Sequence, residues 1–176
     1  PEVEAALGEL APQRTAARVA LKWANTFPSA YRNANSGAEG AADALRFDAL
    51  SGAGARLVRI AAGDGRTRLK IYRQGGPLPL SDAVPVLENF GFRVVEEIPT
   101  ALSDEDRSYL HDFSVEAGGR IADVPVLEGA VAAVLEGRAE NDLFNRLIVD
   151  AGLAPQAVVL FRAWFRYLRQ AGLPYG

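Results

Sequence analysis

Residues 67–99, TRLKIYRQGGPLPLSDAVPVLENFGFRVVEEIP, read as strand, turn, helix and strand without interruption. In Arg68–Arg73 the alternation places Leu69 and Ile71 on one face and Lys70 and Tyr72 on the other, the period-two signature of a strand. Gly75, Gly76 and the prolines after them end that strand. Ser81 is the expected N-cap of the next helix; Asp82 suits its positive end, and Pro85 lies early enough to be tolerated. Leu80, Ala83, Val84, Leu87 and Phe90 line one helical face, and Gly91 stands where a C′ residue takes positive φ. Phe92–Ile98 then resumes as a strand.

Upstream, Arg56–Ala62 reads as a strand joined to the next by a Gly63-Asp64-Gly65 hairpin turn. Ser36 and Glu39 have capping-box spacing and open a helix over 37–50. Between Arg14 and Tyr31, the spacing of Ala16, Ala20, Trp23, Phe27 and Tyr31 is near-helical, and Pro28 breaks the run. Downstream, a polar turn at Ser103–Asp106 leads to a strand over Tyr109–Val115. Three helices follow, at 127–136, 140–151 and 155–171, each stopped by a glycine, at Gly137, Gly152 and Gly172. The fold class is α+β, an antiparallel sheet with packed helices followed by a helical segment.

A chain of 176 residues with 49% hydrophobic residues and a net charge of −3 is long enough for a real core and has no basic bias toward nucleic acid or anionic membrane. No apolar run approaches a membrane span, and the N-terminus lacks signal-peptide order, so a cytoplasmic setting is expected. The sequence starts at Pro1 and has no methionine, which fits initiator removal or an excised segment alike. The absence of cysteine excludes thiolate chemistry and Cys-based zinc sites, and a single histidine leaves little for a triad or a His-rich metal site. No catalytic, cofactor-binding or metal site is expected within the chain.

The remaining chemical signals have plainer readings. Gly52-Ala-Gly54 lacks a third glycine and precedes a strand instead of following one, so it reads as a linker. Gly75 and Gly76 with Ser81 sit between strand and helix, where backbone amides could receive an anion or an amino-acid carboxylate; turn geometry is the competing explanation. His111 shares a strand face with Tyr109, Phe113 and Val115 and reads as a packed residue, while Asp104–Asp106 reads as a solvated turn. Arg162, Arg166 and Arg169 recur along the last helix among Phe161, Trp164, Phe165 and Leu168. That pattern fits RNA less well than a packed protein segment, because the chain is acidic and shows no nucleic-acid module.

Taken in order, FPSAYRNAN (27–35), LKIYRQGGPLPLSDAVPVLENFGFRVVEEIP (69–99), YLHDF (109–113), AENDLFNRLIVDAGL (139–153) and RAWFRYLRQAGLPY (162–175) resemble successive landmarks of the large bacterial NAD-specific glutamate dehydrogenases. The resemblance implies an ACT-like, ferredoxin-like module upstream of the catalytic domain. It implies three parts: N-terminal helices over 1–51, an ACT-like core over 52–118 and a helical connector over 119–176. The pattern departs from a full ACT module, since no strand precedes the first helix and an additional strand occurs around Tyr109.

For the full-length enzyme the resemblance implies oxidative deamination of L-glutamate to 2-oxoglutarate and ammonium, with NAD as cofactor. Within this chain it implies no cofactor and a noncatalytic structural or regulatory role, with amino-acid sensing at Gly75, Gly76 and Ser81 as the alternative. The implied partners are other domains of the same polypeptide in a homo-oligomer; from composition no membrane partner is expected, and RNA binding is the least favoured of the three functions. Lys22 on a helix and Lys70 in a strand are read as structural or surface residues.

Overall fold

A computed structural model of the chain describes residues 2–52, 54–62, 66–103, 107–118 and 121–172. The elements are α1 (Glu2–Leu10), α2 (Gln13–Trp23), α3 (Ser29–Ala34), α4 (Gly37–Asp48), β1 (Arg56–Ala62), β2 (Thr67–Arg73), α5 (Leu80–Asn89), β3 (Phe92–Ser103) and β4 (Ser108–Ala117). After them come α6 (Val124–Leu135), a 3-10 turn (Leu143–Asn145), α7 (Arg146–Asp150) and α8 (Pro155–Gln170). The turns expected at Gly63–Gly65 and Asp104–Asp106 lie outside the described residues.

The strands form one antiparallel sheet in the order β1-β2-β4-β3. In a βαββαβ ferredoxin-like module the first strand lies centrally, between the third and the fourth. Here no strand directly precedes α4, and β4 fills that central place from the other end of the motif. The missing first strand and the additional strand near Tyr109 are therefore one feature, a permuted order of the same sheet. β2 is buried at four consecutive residues, Leu69 to Tyr72, as a strand covered on both faces must be.

The chain divides into two compact units, each discontinuous in sequence. The first comprises Pro1–Leu57, Lys70–Leu78 and Glu97–Asp112. Its core gathers Leu7, Val19, Trp23, Phe27, Ala44, Phe47, Tyr72 and Leu110. Trp23 stacks on Phe47 at 5.1 Å between centroids, and Phe47 meets the edge of Tyr72 at 5.2 Å. Pro28 separates α2 from α3, as its missing donor requires. α1 was not foreseen, since EVEAALGEL carries an interior glycine and no cap signal. It lies so close to α4 that a Cβ on Gly37 would stand 2.7 Å from the Glu2 Cβ, which explains a glycine at the first position of a well-capped helix. Ser36 accepts from the Glu39 amide at 3.2 Å, the expected cap.

The second unit comprises Val58–Leu69, Pro79–Glu96 and Phe113–Gly176. α5 starts one residue before Ser81, with Pro79 at the N-cap and no capping side chain, so Ser81 lies in the first turn and not at the cap. Pro79 stands at φ −60° and ψ 137°, so the fixed φ of proline sets the extended approach to the helix. Ala83, Val86, Leu87 and Phe90 form its buried face, whereas Leu80 at the exposed start does not join them. Gly91 takes φ +89°, as a C′ residue does, and a Cβ there would also meet the Arg146 side chain at 3.2 Å. The single helix expected over 140–151 is instead a 3-10 turn followed by α7. Asp142 accepts from the Phe144 amide at 3.1 Å and Asn145 Nδ2 donates to the Glu140 carbonyl at 2.9 Å, which starts the helix late. Gly137, Gly152 and Gly172 all have positive φ at the helix ends.

Candidate functional site

Within the first unit, the most concentrated chemistry is a buried node around Asp43 and Lys70. Asp43 sits among Ala41, Ala44 and Phe47 on the buried face of α4, and Lys70 projects from β2 on the same strand face as Tyr72. Lys70 Nζ donates to Asp43 Oδ2 at 2.6 Å and to Glu39 Oε1 at 2.7 Å, with Asp112 Oδ2 at 4.0 Å. Tyr31 donates to Asp43 Oδ2 at 2.5 Å and Tyr72 to Asp43 Oδ1 at 2.6 Å. One carboxylate thus receives an ammonium and two phenol hydroxyls, away from water. Burial, then the Asp43 charge, push the Tyr31 phenol well above the ordinary tyrosine range, so it remains a donor.

Lys70 is thus engaged inside its unit by Asp43 and Glu39, while Lys22 lies exposed over the Trp23 ring. Asp43 was not singled out from sequence. Its signal was present as a carboxylate inside the apolar stripe of α4, four residues after Glu39, with a lysine on an inward strand face. Tyr31 also lines a cavity of about 270 Å³ in this unit, alongside Asn25, Arg32, Asn35, Ser36 and Gly40.

His111 organises the turn after β2. Its Nε2 accepts from the Leu78 amide at 2.9 Å, so the proton of the neutral ring sits on Nδ1, 2.8 Å from Glu97 Oε1. Burial is the main cause that lowers its pKa below the usual histidine value; Glu97 opposes this, and Arg73 and Arg56 reinforce it. The Gly76 amide donates to the Arg107 carbonyl at 3.0 Å. Gly75 and Gly76, at φ +86° and +118°, belong to the first unit, and Ser81 belongs to the second. The Ser81 hydroxyl lies 3.4 Å from Asp82 Oδ1 on an exposed helix start.

In the second unit, Arg162 of α8 is buried and holds Asp142 through Nε at 2.6 Å and Nη2 at 2.8 Å, with Asn145 Oδ1 at 3.1 Å. Asp142 loses hydration there, which raises its pKa, yet Arg162 and the Phe144 amide outweigh that and hold it below the usual carboxylate range. Arg166 pairs with Glu140. Two of the arginines considered for RNA are thus tied to carboxylates of their own unit. Among the described residues no group of three or more His, Asp or Glu side chains has metal-holding geometry, and no helix is long and apolar enough to cross a membrane.

The sheet, its flanking α4 and α5 and the trailing helices define an ACT-type α+β module joined to a helical segment. Residues 54–126 match the family described as glutamate dehydrogenase, ACT3 domain, and residues 139–176 match glutamate dehydrogenase, helical motif 3. The chain is 42% identical over 109 residues to the NAD-specific glutamate dehydrogenase of Halomonas elongata, covering 58% of this chain and 7% of that protein. It is 40% identical over 123 residues to that of Pseudomonas aeruginosa (66% and 8%) and 32% identical over 169 residues to that of Mycobacterium tuberculosis (89% and 10%). The chain belongs to this glutamate dehydrogenase family, and it spans a tenth or less of the length of these curated relatives.

Proposed function

We propose that the chain is a noncatalytic structural or regulatory segment of a large NAD-specific glutamate dehydrogenase. In that reading the full-length enzyme oxidatively deaminates L-glutamate to 2-oxoglutarate and ammonium with NAD, in the cytoplasm and as a homo-oligomer. In the same reading the chain is organised as N-terminal helices over 1–51, an ACT-like core over 52–118 and a helical connector over 119–176. The observation that carries it is the Asp43–Lys70 node. The one buried lysine among the described residues is closed on Asp43 and Glu39 instead of facing a substrate pocket, while the matched regions are an ACT domain and a helical motif. Purified chain should give no glutamate-dependent NADH formation under conditions where the full-length enzyme turns over; turnover by the chain alone would refute the reading.

Amino-acid sensing is the second reading, favoured by the cavity beside Tyr31, whose Arg32, Asn25 and Asn35 offer partners for a carboxylate and an ammonium. Calorimetric titration with a panel of amino acids tests it. Heat abolished by Arg32→Ala would place the ligand in that cavity, heat abolished by Gly76→Ala or Ser81→Ala would place it at the Gly75, Gly76 and Ser81 turn, and no heat at millimolar ligand would dismiss sensing.

A further inference from the structure

The 74–78 turn after β2 is fastened at both ends, and the two fastenings differ in kind. At one end the Gly76 amide donates to the Arg107 carbonyl at 3.0 Å, a contact between groups that do not titrate. At the other the Leu78 amide donates to His111 Nε2 at 2.9 Å, so the exit of the turn rests on the sole histidine of the chain. Between them Arg73 Nη1 donates to the Pro77 carbonyl at 2.7 Å, in an exposed contact that water can replace. The ring is held in place: it is 2% exposed, stacks on Tyr109 at 6.2 Å between centroids and meets Glu97 Oε1 through Nδ1 at 2.8 Å. The turn is the softer partner, with Gly75 and Gly76 at positive φ and no helix or strand over 74–79.

We propose that His111 is a proton-operated latch on this turn: the neutral ring keeps the Leu78 end closed, and a proton on Nε2 releases that end while the Gly76 end stays fastened. Protonation converts Nε2 from acceptor to donor, so two N–H groups face each other and the Leu78 amide must open toward water. The groups around the ring set how hard that proton is to place. Burial opposes it most; Glu97 on β3 favours it, and Arg73 on β2 and Arg56 on β1 oppose it. The latch therefore opens on the acid side of the usual histidine value. The turn carries no ionisable group of its own over 74–78, and the Arg107 guanidinium lies at its fastened end, where a Cβ on Gly76 would stand 3.0 Å from Nη2. Repulsion between an imidazolium and Arg73 also loosens the tie to Pro77, so Pro77 and Leu78 are released together. All of these residues belong to the first unit, and the released end is the point where the chain passes from that unit to Pro79 of the second.

The test follows His111 and Leu78 together in the whole chain, by NMR of the ring nitrogens and by hydrogen exchange of single backbone amides, from neutral pH down into the acid range. Below the midpoint of the ring, Leu78 protection corrected for intrinsic exchange should fall about tenfold per pH unit, as linkage to one proton requires, while Gly76 and the β2 amides keep theirs. Glu97→Gln keeps an oxygen for Nδ1 and drops the charge, so it should move the ring titration and the Leu78 fall to lower pH by the same amount. His111→Gln, which still accepts from Leu78 and does not titrate, should abolish the fall. The latch is overturned by a ring that titrates while Leu78 protection holds, by a Leu78 fall that persists in His111→Gln or does not follow the ring in Glu97→Gln, or by Leu78 protection that is lost only together with the β2 amides. Should His111→Gln fail to fold, the joint shift in Glu97→Gln decides alone.

Discussion

The Lys70–Asp43 node of the first unit and the Arg162–Asp142 node of the second use the same chemistry at different depths. Lys70 and Asp43 side chains are 3% and 0% exposed, whereas Asp142, opposite the buried Arg162, is 34% exposed. In the first, the Lys70 ammonium and the Tyr31 and Tyr72 hydroxyls converge on Asp43 away from solvent; in the second, solvent can partly replace Arg162 as the partner of Asp142. An ion pair therefore specifies packing where it is deep and staples a helix joint where it is shallow. Breaking each tests that distinction.

The largest effect is expected at Asp43. Asp43→Ala leaves the Lys70 ammonium and the Tyr31 and Tyr72 hydroxyls buried without their shared acceptor, at a cost of about 3–5 kcal/mol. Thermal or urea unfolding of the chain should show a large loss of midpoint or of cooperativity. Lys70→Met combined with Asp43→Leu should recover part of it, since an apolar pair strands no charge. A loss below about 1 kcal/mol in Asp43→Ala would mean that the node is solvated and the contrast false. Arg162→Ala comes next, at about 1.5–3 kcal/mol in urea unfolding, because Asp142 keeps the Phe144 amide and access to water. A cost equal to that of Asp43→Ala would erase the difference between the nodes.

The sequence made the sheet and most helices legible because their signals are local. Alternation in Thr67–Arg73, the Ser36 cap and the glycines at 91, 137, 152 and 172 each act within a few residues. What escaped depends on distant partners. Asp43 pairs with a lysine 27 residues away, and His111 with an amide 33 residues away, so neither role shows in a local window. The 140–151 stretch misled for the same reason, since helical spacing ignores that Asp142 is engaged by Arg162, 20 residues on. Around Ser81, the local rule favoured a hydroxyl cap, and the Pro79 entry prevailed.

A smaller effect is expected from His111, and its sign follows from the geometry. The folded state favours the neutral ring, whose Nε2 must stay unprotonated to accept the Leu78 amide, so its pKa lies below the unfolded value of 6.5. The unfolded chain binds the extra proton in that window; stability is complete above pH 6.5 and falls as pH drops below it toward the folded pKa. His111→Gln, which can still accept from Leu78, should flatten that part of the profile of unfolding midpoint against pH. A slope unchanged by the substitution would show that His111 is not the titrating group.

The smallest effect isolates burial from geometry. Arg93 Nη1 lies 2.7 Å from Glu116 Oε2, within 0.1 Å of the 2.6 Å Arg162–Asp142 contact, but its side chains are 78% and 43% exposed. If distance set the energy, Arg93→Ala and Arg162→Ala would cost alike. Since water screens the exposed pair and holding it costs side-chain entropy, Arg93→Ala should lose less than about 1 kcal/mol and the loss should shrink as salt is raised. Unfolding midpoints of the two variants at low and high salt decide it: a salt-sensitive Arg93 effect well below a salt-resistant Arg162 effect assigns the difference to depth, and equal costs at both salts assign it to contact distance.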